Sequence, residues 1–104
     1  MSYNCFMLTI RRHPEFDRWF GALRDTSTQL RLLKRLKKAE RGLLGDVKSV
    51  GGDVFEMRED FGPGWRMYYT QRGNVLIVML GGGDKSTQTR DIRTASALAK
   101  TLED

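Results

Sequence analysis

The chain has one cysteine, one histidine and two prolines among 104 residues. A lone cysteine excludes an internal disulfide and any cysteine-based metal cluster. Cys5 sits in the apolar stretch "NCFMLTI", where a buried structural thiol is expected. The single histidine, His13, precedes Pro14 and reads as a helix-start residue rather than a catalytic one. The longest apolar run near a strand, "VLIVML", is far too short to cross a bilayer, and the N-terminal sequence lacks a signal-peptide pattern. A cytoplasmic protein without a membrane partner is therefore expected. The length excludes a nucleotide-binding domain plus a substrate domain and leaves room for roughly four strands and two or three helices. Residues 1–104 read as one domain, with no repeat and no low-complexity segment.

What the chain does have is positive charge in one half. The formal net charge is +5. Residues 1–50 hold eleven Lys/Arg against five Asp/Glu, whereas residues 51–104 hold seven against eight. Such an imbalance suits a polyanion, an acidic protein partner or both; it also suits a merely solvated face.

Periodicity supplies the elements. Residues 3–10 read as a largely buried strand. Phe16, Trp19, Phe20 and Leu23 recur at spacings of three and four, which is one face of a helix that starts near Pro14. A second helix places Leu32, Leu36, Ala39 and Leu43 on its apolar side and Arg31, Lys34, Arg35, Lys37, Lys38 and Arg41 elsewhere, with Gly42 as its stop. "GLLGDVKSVGGD" reads as a linker or wide turn. "VFEMRED", "WRMYYTQ" and "VLIVMLG" read as three antiparallel strands, separated by "GPG" and "RGN". A last helix follows, with Ile92, Ala95, Leu98, Ala99 and Leu102 on its apolar side and Asp84, Ser86 or Thr87 as its cap. The order β-α-α-β-β-β-α predicts an α+β domain.

"GGGDKST" invites comparison with a nucleotide loop. The lysine follows aspartate rather than glycine, and the neighbouring strands are antiparallel, so the Walker pattern fails. Gly81, Gly82 and Gly83 at a strand end still allow close backbone approach or a positive φ. Lys85 adds a mobile charge at a helix start, where one nucleic-acid phosphate could be held.

Three stretches, "FDRWFGALRD", "GLLGDVKSVGGDVFEMREDFGPGWRMYYTQRG" and "GGGDKSTQTRDIRTA", closely resemble the small toxins of the RelE/ParE superfamily. They look most like the addiction-module killer branch related to HigB. The resemblance runs from about Phe16 to about Ala99. It implies a small curved antiparallel sheet with an N-terminal helical hairpin and a C-terminal helix. It also implies a toxin of a type II toxin–antitoxin system, acting as a ribosome-dependent, metal-independent mRNA endoribonuclease. The expected partners are a cognate antitoxin, a small helix-turn-helix protein, together with mRNA and the ribosome; no cofactor or metal is expected. The alternatives are a ParE-like inhibitor of DNA gyrase and a non-catalytic RNA- or protein-binding module.

The family's strand arginine falls on Arg66, which alternates with Trp65 and Met67 and so projects from the opposite sheet face. Its fork can grip two phosphate oxygens. Arg58, Lys85 and Arg90 complete the expected catalytic set. Tyr68 shares the face of Arg66 and is expected to stack on a base, Gln88 to hydrogen-bond one, and Asp91 to orient Arg90. Lys34, Lys37, Lys38 and Arg41 are expected to meet RNA phosphates, and the same face suits an acidic antitoxin segment. Glu56 stands where RelE-like chains place a lysine, and the tail has no catalytic tyrosine or histidine. The general acid and base are therefore not identified.

Overall fold

The computed structural model describes residues 7–102. Cys5 and the first part of the strand expected over residues 3–10 lie outside the described residues. The elements are β1 (Thr9–Arg12), α1 (Pro14–Gly21), α2 (Thr26–Glu40), β2 (Val47–Gly51), β3 (Val54–Arg58), β4 (Trp65–Arg72), β5 (Leu76–Asp84), a 3₁₀ turn (Lys85–Thr87) and α3 (Gln88–Ala99).

Local chemistry sets the helix boundaries. His13 Nδ1 accepts from the Glu15 N–H at 3.0 Å, and Pro14 follows it at the first helical position. Asp25 caps α2 by accepting from the Ser27 N–H and the Thr28 hydroxyl. Gly42, at φ 83°, turns the chain out of α2. Leu32, Leu36 and Ala39 form the buried stripe of α2. Leu43, expected on that stripe, lies beyond the helix and is 57% exposed, because Gly42 has already broken the 3.6-residue period.

The five strands run β1-β5-β4-β3-β2 across one sheet. The α+β architecture and the order of the helices are as the sequence predicts. Two details differ. The stretch read as a linker contains β2, which pairs antiparallel with β3 through a turn at Gly52 and Asp53. The first strand joins parallel to β5, so the sheet is mixed at that edge.

Helices cover both faces. The hairpin α1/α2 packs over Met57, Met67, Tyr69, Ile77 and Met79. On the other face α3 packs over Val54, Tyr68, Val78 and Leu80 through Ala95 and Ala99. Ile92, Leu98 and Leu102 border that second core, as the periodicity requires.

Candidate functional site

Where β4 meets β5 the pairing shifts by one residue. Tyr69 faces Met79 and Tyr68 faces Gly81, which leaves Leu80 as a bulge. Beyond it Gly81, Gly82 and Gly83 lie opposite Tyr68, Met67 and Arg66. None of the three has a positive φ. Close approach explains two of them. A Cβ on Gly82 would fall onto the Trp19 ring, and one on Gly83 onto the Asp91 carboxylate. The glycine run therefore belongs to a strand and admits α1 on one face and the start of α3 on the other.

Arg66 is 9% exposed and sits on the α3 face, opposite Arg58 on one side and Gly83 on the other. Its Nη1 donates to the carbonyls of Glu59 at 3.1 Å and Trp65 at 3.0 Å. Its Nε stands 3.9 Å from Glu56 Oε1, too far for a hydrogen bond. A Cβ placed on Gly64 would lie 2.6 Å from Lys85 Cδ and 3.6 Å from Arg66 Nη1. The stem of Lys85 thus lies over the 62–64 turn beside the Arg66 fork. The fold brings these two cations together from residues nineteen apart in sequence.

The other expected residues divide. Arg58 is the cross-strand neighbour of Arg66, but its guanidinium is drawn to Asp46 at 3.0 Å. The Arg58 hydrogen bond holds the Asp46 carboxyl below its usual range. Arg90 is exposed, 3.4 Å from Asp91, and lines a polar depression with Lys85, Gln88 and Arg93. Asp91 also accepts from the Thr87 hydroxyl. Asp84 caps the 3₁₀ turn by accepting from the Ser86 hydroxyl and from the Ser86 N–H at 2.8 Å, and these bonds, the hydroxyl's foremost, lower its pKa.

Two expectations are corrected. Tyr68 is fully buried under α3, so its ring has no face open to a base. Its hydroxyl makes no hydrogen bond among the described residues, and burial, followed by the nearby Glu56 charge, pushes its pKa up. Gln88 turns inward, and its Nε2 donates to Glu56 Oε2 at 2.7 Å instead of facing a base. Both corrections have one cause: strand parity gives a side chain its face but does not say what covers that face.

Lys34, Lys37 and Lys38 on α2 and Arg41 at its C-cap are exposed, and α2 packs against the opposite face of the sheet from Arg66. Two α2 cations counted with them are structural. Arg31 lies 3.8 Å over the Phe61 ring, and Arg35 bonds to Glu59 and to the carbonyls of Leu44, Asp46 and Arg58.

No family model matches the chain. A protein of Haemophilus influenzae strain Rd, itself uncharacterised, is 41% identical over 95 residues, which is 91% of this chain and 96% of that protein. The chain belongs to that protein's family. Among solved structures, the Escherichia coli toxin RelE, as a double arginine-to-alanine mutant in the free state, matches with a TM-score of 0.70. The match covers 92% of this chain and 99% of that one at 14% identity, so it is the RelE fold that the two share.

Within this RelE-like fold one basic residue escaped the sequence reading. Lys48 on β2 is exposed and pairs directly with Glu56, so it shares the face of Arg58 and Arg66. It lay hidden in the glycine-rich segment read as a linker. No alternation marked the strand, since Lys48 and Ser49 are both exposed between half-buried Val47 and Val50.

Proposed function

We propose that the protein is the toxin of a type II toxin–antitoxin pair, of the HigB-related branch, and that it cleaves messenger RNA on the ribosome in the cytoplasm without a metal. A single observation carries this reading: Arg66 is nine-tenths buried, yet its Nη2 makes no hydrogen bond among the described residues and its fork borders Lys85. A buried guanidinium with an unused donor beside a second cation suits a phosphate.

In the cleavage step the 2′-OH gives its proton to water and attacks its own 3′-phosphate. The bond to the 5′-oxygen of the next nucleotide breaks, that oxygen takes up a proton from water, and a 2′,3′-cyclic phosphate remains. Charge builds on the non-bridging oxygens, where Arg66 Nη2 and Lys85 Nζ supply fixed positive charge. Arg58, Lys48 and Arg90 lie outside that pair and hold flanking phosphates. Glu56 and Tyr68 are too buried to touch the substrate. The exposed cations of α2 meet ribosomal RNA, and a helix-turn-helix antitoxin neutralises the toxin through an acidic segment on the same helix.

The test is to map message ends by primer extension after expressing the wild type and Arg66→Ala. Cuts within translated codons should appear for the wild type and fall by about 10²–10³-fold in the variant. Inhibition of supercoiling without cuts would instead favour the gyrase reading, in which the α1/α2 side, free of the Arg66 site, is the binding surface.

A further inference from the structure

Behind Arg66 lies a charge that the cleavage step does not use. Glu56 is fully buried on β3, on the same sheet face as Arg66 and diagonal to it. Its Oε2 accepts from Gln88, and its Oε1 has no hydrogen bond among the described residues. Arg66 Nε, also buried and without a hydrogen bond among the described residues, stands 3.9 Å from that oxygen. A carboxylate removed from solvent requires a compensating cation, and Arg66 is the one it faces. At this separation the two form a through-space counter-ion pair, not a locked bond.

The guanidinium is therefore held on two sides. Two carbonyls take Nη1, and the Glu56 charge stands behind Nε. We propose that Glu56 is a positioning residue for Arg66: its carboxylate backs Nε from the interior, fixes the plane of the fork and leaves Nη2 for the phosphate. Gln88 ties that carboxylate to the first turn of α3. One buried link thus sets the strand that carries Arg66 against the helix start next to Lys85. The inference rests on the RNA-cleaving reading for its substrate. Glu56 also competes with the incoming phosphate for the Arg66 charge, so removing its carboxylate strengthens binding through Arg66 while it loosens the fork.

The test is a double-mutant cycle on Glu56→Gln and Arg66→Ala. It is read by cleavage kinetics and by binding of an RNA analogue with a 2′-deoxy residue at the cut site. Glu56→Gln should lower kcat by about 10- to 100-fold through misplacement of the fork. It should lower both KM and the Kd of the analogue, and both effects should vanish in the Arg66→Ala background. A residue that only supports the fold would lower kcat without tightening binding and would do so with or without Arg66. That result, or wild-type kinetics, overturns the proposal. Gln88→Ala keeps the charge but frees it from α3, and it decides the matter if Glu56→Gln fails to fold. Its kcat should fall, with Kd unchanged, only while Arg66 is present; an equal fall in the Arg66→Ala background, or a wild-type kcat, overturns the proposal. If the wild type cuts no RNA, the cleavage reading fails on its own account. Analogue binding then decides the role of Glu56: tightening that requires Arg66 supports it, and additive effects overturn it.

Discussion

Gly82 gives the residue scale its sharpest constraint. The Trp19 ring lies where a Cβ would stand, and the ring itself is fixed among Phe16, Phe20 and Trp65. An indole held on several sides cannot step back as the end of a lysine would. Gly82→Ala should therefore destabilise the fold by about 1–3 kcal/mol, the range for overpacking. Equilibrium denaturation measures it, and Trp19→Phe in the same chain should return part of the loss. An unchanged midpoint for Gly82→Ala would mean that Trp19 is free to move. This scale also shows how far the candidate site was legible. Alternation in "GWRMYY" gives the correct face to Arg66 and Tyr68, and a lysine after a glycine-rich strand end marks Lys85. The burial of Tyr68 and the inward turn of Gln88 were not legible, because both depend on where α3 crosses the sheet. That crossing is set by contacts between segments far apart in sequence.

Among the elements, α2 is bound to the rest of the molecule by a side chain that looks in sequence like one more surface cation. Arg35 is only 12% exposed in its side chain and donates to Glu59 Oε2 at 2.6 Å. It also donates to the carbonyls of Leu44, Asp46 and Arg58. Gly45, at φ 73°, lets the following loop lie against its guanidinium. Because the Glu59 carbonyl in turn accepts from Arg66, the clasp runs from α2 to the site. Arg35→Ala should cost about 3–5 kcal/mol, as expected when one member of a buried ion pair is removed. Arg35→Lys should recover little of it, since an ammonium cannot reproduce the fork. Chemical denaturation checks both, and a loss equal to that of an exposed α2 lysine would refute the clasp. The fold was legible where periodicity was long, as in α1, α2, α3 and the β3–β5 meander. It was not legible for β2, an edge strand with a bulge after Ser49 and glycines at its end, whose composition matches that of a turn. Nor was the parallel seat of β1 beside β5 legible, because no local pattern encodes a partner more than sixty residues away.

At the scale of the molecule, the sheet separates two cationic surfaces. Arg66, Lys85 and Arg90 belong to the side and end that α3 covers, while Lys34, Lys37 and Lys38 lie on the outer face of α2. One RNA phosphate cannot bridge them, so their contributions to turnover should separate. On the proposed RNA-cleaving reading, replacing Lys34, Lys37 and Lys38 together by glutamine removes charges that would attract the ribosome at a distance and touch no reacting atom. The kcat/KM on translated message should fall by about tenfold, since such steering acts on association. The kcat should remain at the wild-type value, and the salt dependence of binding should flatten. Lys85→Gln should do the reverse, lowering kcat with a smaller change in salt dependence. All three α2 positions are exposed, so the triple variant should keep its stability to within about 0.5 kcal/mol per site. Steady-state kinetics at several salt concentrations separates the two surfaces. A parallel fall of kcat in both variants would mean that the α2 face and the Arg66 corner act on the same phosphate, contrary to their placement on opposite sides of the sheet.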